Sequence, residues 1–311
     1  MNTLQNKKLL FGITGGIAVY KAAEIIRGLV KMGIDVQVAM TKHAQQFVTP
    51  LTFETLSNHP VMSEMFPADE MVATRHIGIP GDADAVLICP ATANFIGKMA
   101  NGIADDLLTT MVMVAGPEKT ILCPAMNTEM WDNPVVQKNV ALLREYGSKI
   151  VDPGHGELAC HTIGAGRLAS IERILSTARI ELLRNNDFSG LNFLITAGPT
   201  EEPLDPVRYI TNLSSGKMGF ALTEAALSRG ANVMLITGHT ELTPPDDAET
   251  IFVRTAAEME RAVLQAYSSA HVVIMSAAVS DYRPADYSPS KLKKEGDSIL
   301  LTLKRNTDIL A

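Results

Sequence analysis

Lys8-Leu-Leu-Phe-Gly-Ile-Thr14, the pair Gly15-Gly16 and the run from Ile17 to Gly33 decide the fold. The apolar run reads as a buried strand and the glycine pair as a turn. Ala22, Ile25, Ile26 and Leu29 then recur at helical spacing on one face, and Gly33 stops the helix. Asp35-Val-Gln-Val-Ala-Met40 reads as the next strand. Strand, glycine turn, helix and strand form a βαβ unit, which implies a parallel sheet. Working outward, strands are expected over 83–89, 119–123 and 149–151. Helices are expected from Thr92 to Ala100, from Val135 to Tyr146 behind Asn133-Pro134, and after a Ser170 cap. Asn185-Asn186-Asp187 is a polar break, and a second round follows it. That round is strand 191–197, helix 216–229, strand 232–237, a helix opened by the capping-box spacing of Thr255 and Glu258, and strand 271–277. The expected fold class is α/β, two doubly wound Rossmann-like domains with parallel sheets, over 1–186 and 187–311.

Composition narrows the partners. The chain carries 27 Lys and Arg against 34 Asp and Glu, a net charge of −7, which argues against a nucleic-acid partner. Aromatic residues make up 5%, too few for a base-stacking surface. Cys89, Cys123 and Cys160 are odd in number and form no CxxC pair, so neither a disulfide framework nor a structural zinc site is expected. The apolar run before Gly15 is too short for a signal peptide, and no apolar stretch is long enough to cross a bilayer. A cytoplasmic protein without a membrane partner is expected.

Open parallel sheets bind ligands at the carboxyl ends of their strands, so the residues after each strand are the candidates. After the first strand, Gly15 and Gly16 at a helix start either receive an anion or merely pack the helix. Thr92 and Asn94 of Pro90-Ala-Thr-Ala-Asn94 either cap a helix or bond a ligand. Pro124-Ala-Met-Asn-Thr-Glu-Met-Trp131 holds the single Trp, which suggests a substrate lid more than a core residue. His76 precedes the strand expected over 83–89. Cys160 lies in the glycine-rich stretch 154–167, which has little periodicity and reads as a mobile loop. In the second round, Ser214, Ser215 and Gly216 at a helix start make a phosphate cradle or a plain Ser cap. Asp281 follows a strand end, and Lys291-Leu-Lys-Lys294 is a short basic cluster.

Five motifs stand in one order: Thr14-Gly-Gly-Ile-Ala-Val-Tyr-Lys21, Pro90-Ala-Thr-Ala-Asn94, Ala100-Asn-Gly-Ile-Ala-Asp-Asp-Leu107, Pro124-Ala-Met-Asn127 and the Cys160 stretch. Together they resemble the flavin-dependent cysteine decarboxylases, in particular the phosphopantothenoylcysteine decarboxylases, over residues 8–182. Ile195-Thr-Ala-Gly-Pro-Thr200, Asp205-Pro-Val-Arg-Tyr-Ile210, Asn212, Ser214-Ser-Gly-Lys-Met-Gly219 and Ala277-Ala278 with Asp281-Tyr-Arg283 resemble the phosphopantothenate–cysteine ligases. The whole therefore resembles the bifunctional coenzyme A biosynthesis family.

The resemblance implies a ligase that joins 4′-phosphopantothenate to cysteine with CTP and Mg²⁺, through an acyl-cytidylate. A decarboxylase then turns 4′-phosphopantothenoylcysteine into 4′-phosphopantetheine with FMN, through a thioaldehyde that can lose CO₂. It implies FMN contacts at Gly15, Gly16, Ile17, Thr41, Thr92, Asn94, Ala104 and Asp105. Cys160 would supply a proton, His76 would act as base or carboxylate anchor, and Asn127 beside Met126 would bind the substrate carboxylate. In the ligase, Lys291 would stabilise phosphate charge, Asn212 would hold the acyl intermediate and Asp281 would read the cytosine. Ser214, Ser215, Gly216, Ala277, Ala278, Asn306, Thr307, Asp308 and Ile309 would complete the CTP site; which residues would hold the Mg²⁺ is left open. A homo-oligomer is implied, with decarboxylase trimers holding FMN between subunits and paired ligase domains.

Three departures stand out. His161 occupies a position where the family has Gly, and Asn306-Thr-Asp-Ile309 replaces Asn-Pro-Asp-Ile. Family members continue past residue 311, so an incomplete ligase half is expected. The alternatives are a decarboxylase alone, a regulatory flavoprotein of the same fold, a flavin prenyltransferase and a dinucleotide dehydrogenase. The first follows from an incomplete ligase. Retained His76, Asn127 and Cys160 weigh against the second, Pro124-Ala-Met-Asn127 with Cys160 against the third, and the lack of GxGxxG against the fourth.

Overall fold

The structure is a computed structural model, and it describes residues 4–65, 74–158, 162–293 and 298–310. The chain divides into two compact units, Met1–Leu183 and Arg184–Ala311. Cys160, His161 and Lys294 lie outside the described residues.

The first unit runs β1 (Lys8–Ile13), α1 (Val19–Lys31), β2 (Asp35–Met40), α2 (Pro50–Ser57), α3 (Arg75–Asp82), β3 (Ala85–Ala91) and α4 (Ala93–Ala100). It continues with α5 (Leu107–Ala115), β4 (Thr120–Pro124), α6 (Thr128–Trp131), α7 (Pro134–Glu145), β5 (Lys149–Ile150), β6 (Gly154–Glu157), β7 (Ile163–Arg167) and α8 (Ile171–Leu182). The sheet order is β2-β1-β3-β4-β5, all parallel. Strand alternation feeds two cores. Leu9, Phe11 and Ile13 enter one cluster with Leu87, Cys89, Ile121 and Cys123, and Leu10 enters the other with Val86, Ile88 and Leu122. Helices cover both faces, so the inner strands β1, β3 and β4 are buried almost throughout, while the edge strand β2 starts with alternating burial. Each fully buried Leu or Phe contributes roughly 1.5–3 kcal/mol.

The caps follow side-chain chemistry. The Thr92 side chain accepts from the Phe95 amide, Asn133 from Val135 and Ser170 from Arg173, each satisfying an orphan N–H of a first turn. In this unit α1, α2 and α3 have no side-chain cap bond. The eight residues of α3 contain Gly78, Pro80 and Gly81, and tertiary packing holds them helical against their propensity. His76 therefore sits on a helix rather than in a lead-in to a strand. The expectation of a loop over 154–167 is corrected for its described residues: β6 and β7 pair as an antiparallel hairpin.

The second unit runs β8 (Asn192–Ala197), β9 (Glu201–Pro203), β10 (Tyr209–Thr211), α9 (Lys217–Ser228), β11 (Asn232–Thr237), β12 (Ala248–Phe252), α10 (Ala256–Tyr267), β13 (Val272–Met275), β14 (Tyr282–Pro284) and β15 (Leu303–Arg305). Its main sheet is parallel, in the order β12-β11-β8-β13. Thr255 and Glu258 form the expected reciprocal capping box at α10. Among the described residues no helix is long and apolar enough to cross a membrane.

Candidate active sites

The order β2-β1-β3 reverses direction at β1 and β3, which opens a crevice beyond their carboxyl ends. Thr14 ties the two loops there: its Oγ1 donates to the Pro90 carbonyl (2.7 Å) and accepts from the Thr92 amide (3.0 Å). A cavity of about 700 Å³ lies at this point. Gly15–Ala18, Thr92, Met126 and Asn127 contribute to its lining, with Tyr20, Lys21, Met130, Glu157, Leu158, Arg167 and Leu168. The amides of Gly15, Gly16, Ile17 and Ala18 donate to no acceptor among the described residues. Successive free N–H groups at the start of α1 form an anion cradle.

Glycine builds the opposite wall. A Cβ on Gly164 would collide with Oγ1 and Cγ2 of Thr128, so only glycine lets β7 lie this close to α6. The Met126 amide donates to the Gly166 carbonyl (3.0 Å), which fixes the hairpin to the segment bearing Asn127. Asn127 caps α6: its Oδ1 accepts from the Glu129 amide (2.8 Å), orienting the side-chain amide. Trp131 is half-buried against the apolar cluster around Phe95 and Met111, which corrects its reading as a lid residue.

Several candidates stand elsewhere. Thr41 Oγ1 accepts from the Ala44 amide (3.3 Å), and Asn94 is exposed outside the cavity lining. Ala104 and Asp105 are exposed, with Asp105 ion-paired to Lys98 (2.7 Å). That pair holds the Asp105 carboxyl below its usual range. His76 lines a smaller cavity of about 200 Å³ with Arg75, Met62, Met65 and Leu107, and it shares no lining residue with the larger one.

In the second unit, three loops converge beyond β8, β11 and β13. Thr196 Oγ1 accepts from the amides of Ser276 (3.1 Å) and Ala277 (3.2 Å), and Thr200 Oγ1 from Ser280 (2.9 Å). Asn212 Nδ2 donates to the carbonyls of Ala278 (3.4 Å) and Val279 (3.1 Å). Buried Asn306 donates from Nδ2 to the Ser280 carbonyl (2.7 Å) and accepts from Arg283 (2.7 Å), so it shapes the loop bearing Asp281. Gly216, at φ +73°, caps α9, and the Gly216 amide donates to Ser214 Oγ (3.4 Å). The plain Ser cap is therefore excluded: the left-handed turn needs Gly at the cap itself. Ser215, Asp281, Lys291, Thr307 and Asp308 are exposed, and Ile309 packs on the apolar cluster of this unit.

Asp205 is a residue the sequence reading left without a role. It is fully buried and accepts from the amides of Val207 (2.8 Å), Arg208 (2.8 Å) and Leu292 (3.1 Å). Burial pushes its carboxyl up, but these three amides and the Arg208 charge outweigh that and hold it below the usual carboxylate range. The Arg208 guanidinium also donates to the Leu292 carbonyl (3.1 Å). The amide and the carbonyl of Leu292, the residue after Lys291, are thereby both held.

Residues 1–182 match the family described as Flavoprotein, and residues 188–311 match the C-terminal domain of the DNA/pantothenate metabolism flavoproteins. The chain is 44% identical over 310 residues to the coenzyme A biosynthesis bifunctional protein CoaBC of Bacillus subtilis (strain 168), covering 99% of this chain and 76% of that one. The chain belongs to the bifunctional coenzyme A biosynthesis family. Its Escherichia coli (strain K12) relative is 42% identical over 312 residues, covering 99% and 77% of the two chains. Among solved structures, the FMN-dependent cysteine decarboxylase SpaF superposes with a TM-score of 0.51 at 32% identity, covering 58% of this chain and 99% of that one. Of the cavity residues in this family member, the sequence reading missed Lys21 and Arg167. Both stood inside quoted motifs, and their position in a glycine-lined wall was the available signal.

Proposed function

We propose that the first unit decarboxylates 4′-phosphopantothenoylcysteine with FMN, and that the second joins 4′-phosphopantothenate to cysteine with CTP and Mg²⁺. Membership of the family makes the chain an enzyme of coenzyme A biosynthesis with decarboxylase and ligase activities. The observation that carries the finer reading is the cavity at the β1/β3 switch point, with its four free amides.

The residues present fit FMN. The amides of Gly15–Ala18 suit a phosphate, Ile17, Met126, Met130, Leu158 and Leu168 suit a flat ring, and about 700 Å³ lies within the usual range for a cofactor site. FMN when bound supplies the electron withdrawal that lets the bond to CO₂ break. The protein orients and protonates. Asn127, fixed by its bond to the Glu129 amide, presents its side-chain amide to the substrate carboxylate. Cys160 Sγ gives a proton to the carbon that has lost CO₂. His76 lies outside the cavity of its own chain, which supports a homo-oligomer in which a second copy delivers it. In the ligase, Asn212 holds the acyl intermediate while Lys291 stabilises charge on the cytidylate.

The test is a coupled assay. The purified protein is expected to show a flavin spectrum and to release CO₂ from 4′-phosphopantothenoylcysteine. Cys160→Ser is expected to release CO₂ yet stall before product. Turnover that Cys160→Ser leaves unchanged would remove the proton-donor role. CTP with Mg²⁺, and not ATP, is expected to drive ligation.

A further inference from the structure

Lys21 and Arg167 face the same cavity from opposite elements, α1 and the end of β7. Neither side chain has a hydrogen-bond or ion-pair partner among the described residues. Unpaired cations in a half-enclosed wall are costly, and the cost shows. Burial, and next the Arg167 charge, lower the Lys21 pKa from its ordinary value. Glu157 also lines the cavity and is already engaged in a contact of its own.

We propose that Lys21 and Arg167 form a phosphomonoester subsite that grips the non-reacting end of the decarboxylase substrate. This rests on the decarboxylase reading above. Three anionic groups compete for the two cations, and chemistry separates them. A carboxylate held by two cations would be stabilised before the reaction and would resist losing its charge as CO₂, which raises the barrier. The cofactor phosphate is matched by the free amides of Gly15–Ala18, which need no side-chain cation. The phosphate at the far end of the substrate remains. It is a dianion near neutral pH, it matches two cations, and its binding energy is available to hold the reacting end in place.

The experiment uses the FMN-loaded full chain. Decarboxylation of 4′-phosphopantothenoylcysteine is compared with that of the same compound lacking its phosphate, for wild type, Lys21→Met, Arg167→Met and Lys21→Arg. Each methionine variant is expected to lower the kcat/KM preference for the phosphorylated compound by about tenfold or more, through KM, since a charge-assisted bond is worth about 1.5–3 kcal/mol. Lys21→Arg is expected to restore much of that preference. Flavin absorbance is expected to persist, and Lys21→Met is expected to melt no lower than wild type, because it removes a charge that the fold disfavours. Calorimetry is expected to show weaker binding of 4′-phosphopantetheine but not of pantetheine. Equal losses on both compounds, an unchanged preference, or loss of flavin from the methionine variants overturns the subsite. A wild type that decarboxylates neither compound overturns the decarboxylase reading with it.

Discussion

Asp205 holds the backbone beside a proposed ligase residue, Lys291, without touching its side chain. Its buried carboxylate satisfies three part-buried amides, and one of them, Leu292, is the neighbour of Lys291. Asp205→Asn replaces an acceptor oxygen with a donor, leaving one part-buried amide without its partner at a cost of about 1 kcal/mol. Ligase kcat is expected to fall while decarboxylation stays unchanged, and separate assays of the two activities check this. The pH dependence has a fixed sign. Because the folded pKa is depressed, the stabilisation is present above the ordinary carboxylate pKa and is lost as pH falls through the folded value. Denaturant titrations from neutral to acid pH are therefore expected to show a steeper loss of stability for wild type than for Asp205→Asn.

At the scale of elements, legibility followed periodicity. The β2 span Asp35–Met40 and the apolar face of α1 were readable because a buried strand and an amphipathic helix each leave a regular pattern. The caps Thr92, Asn133, Ser170 and Thr255 were readable because short polar side chains satisfy first-turn amides. The β6–β7 hairpin was not. Its glycines encode close approach to α6, and a contact between distant segments leaves no local period. Gly164→Val is expected to push β7 off Thr128, with loss of bound flavin and of decarboxylation. A variant that keeps full flavin occupancy, read from visible absorbance, would show that the close approach is not required. The helix α3 was hidden for the opposite reason: its Gly and Pro residues argue against it locally, and packing overrides them.

At the scale of the whole molecule, each unit carries its own candidate site, and in the proposed function the first takes its histidine from a second copy. His76 and Asn127 line different cavities. If a second copy supplies the histidine, two inactive variants repair each other. His76→Ala mixed with Asn127→Ala, after dissociation and reassembly, is expected to regain roughly a quarter of wild-type decarboxylation, in proportion to interfaces that pair two intact residues. Activity that stays at the level of the separate variants means that each chain works alone.

The sequence by itself determined the two-fold α/β plan, the parallel sheets and the motifs that mark the family, because buried strands, amphipathic helices and turn residues are local patterns. Tertiary structure alone decided which motif residues meet. It joined Gly15–Ala18, Asn127, Lys21 and Arg167 in one cavity, and it left His76, Asn94, Ala104 and Asp105 outside. Strand order and hairpin docking set those distances, and both are contacts between segments far apart along the chain.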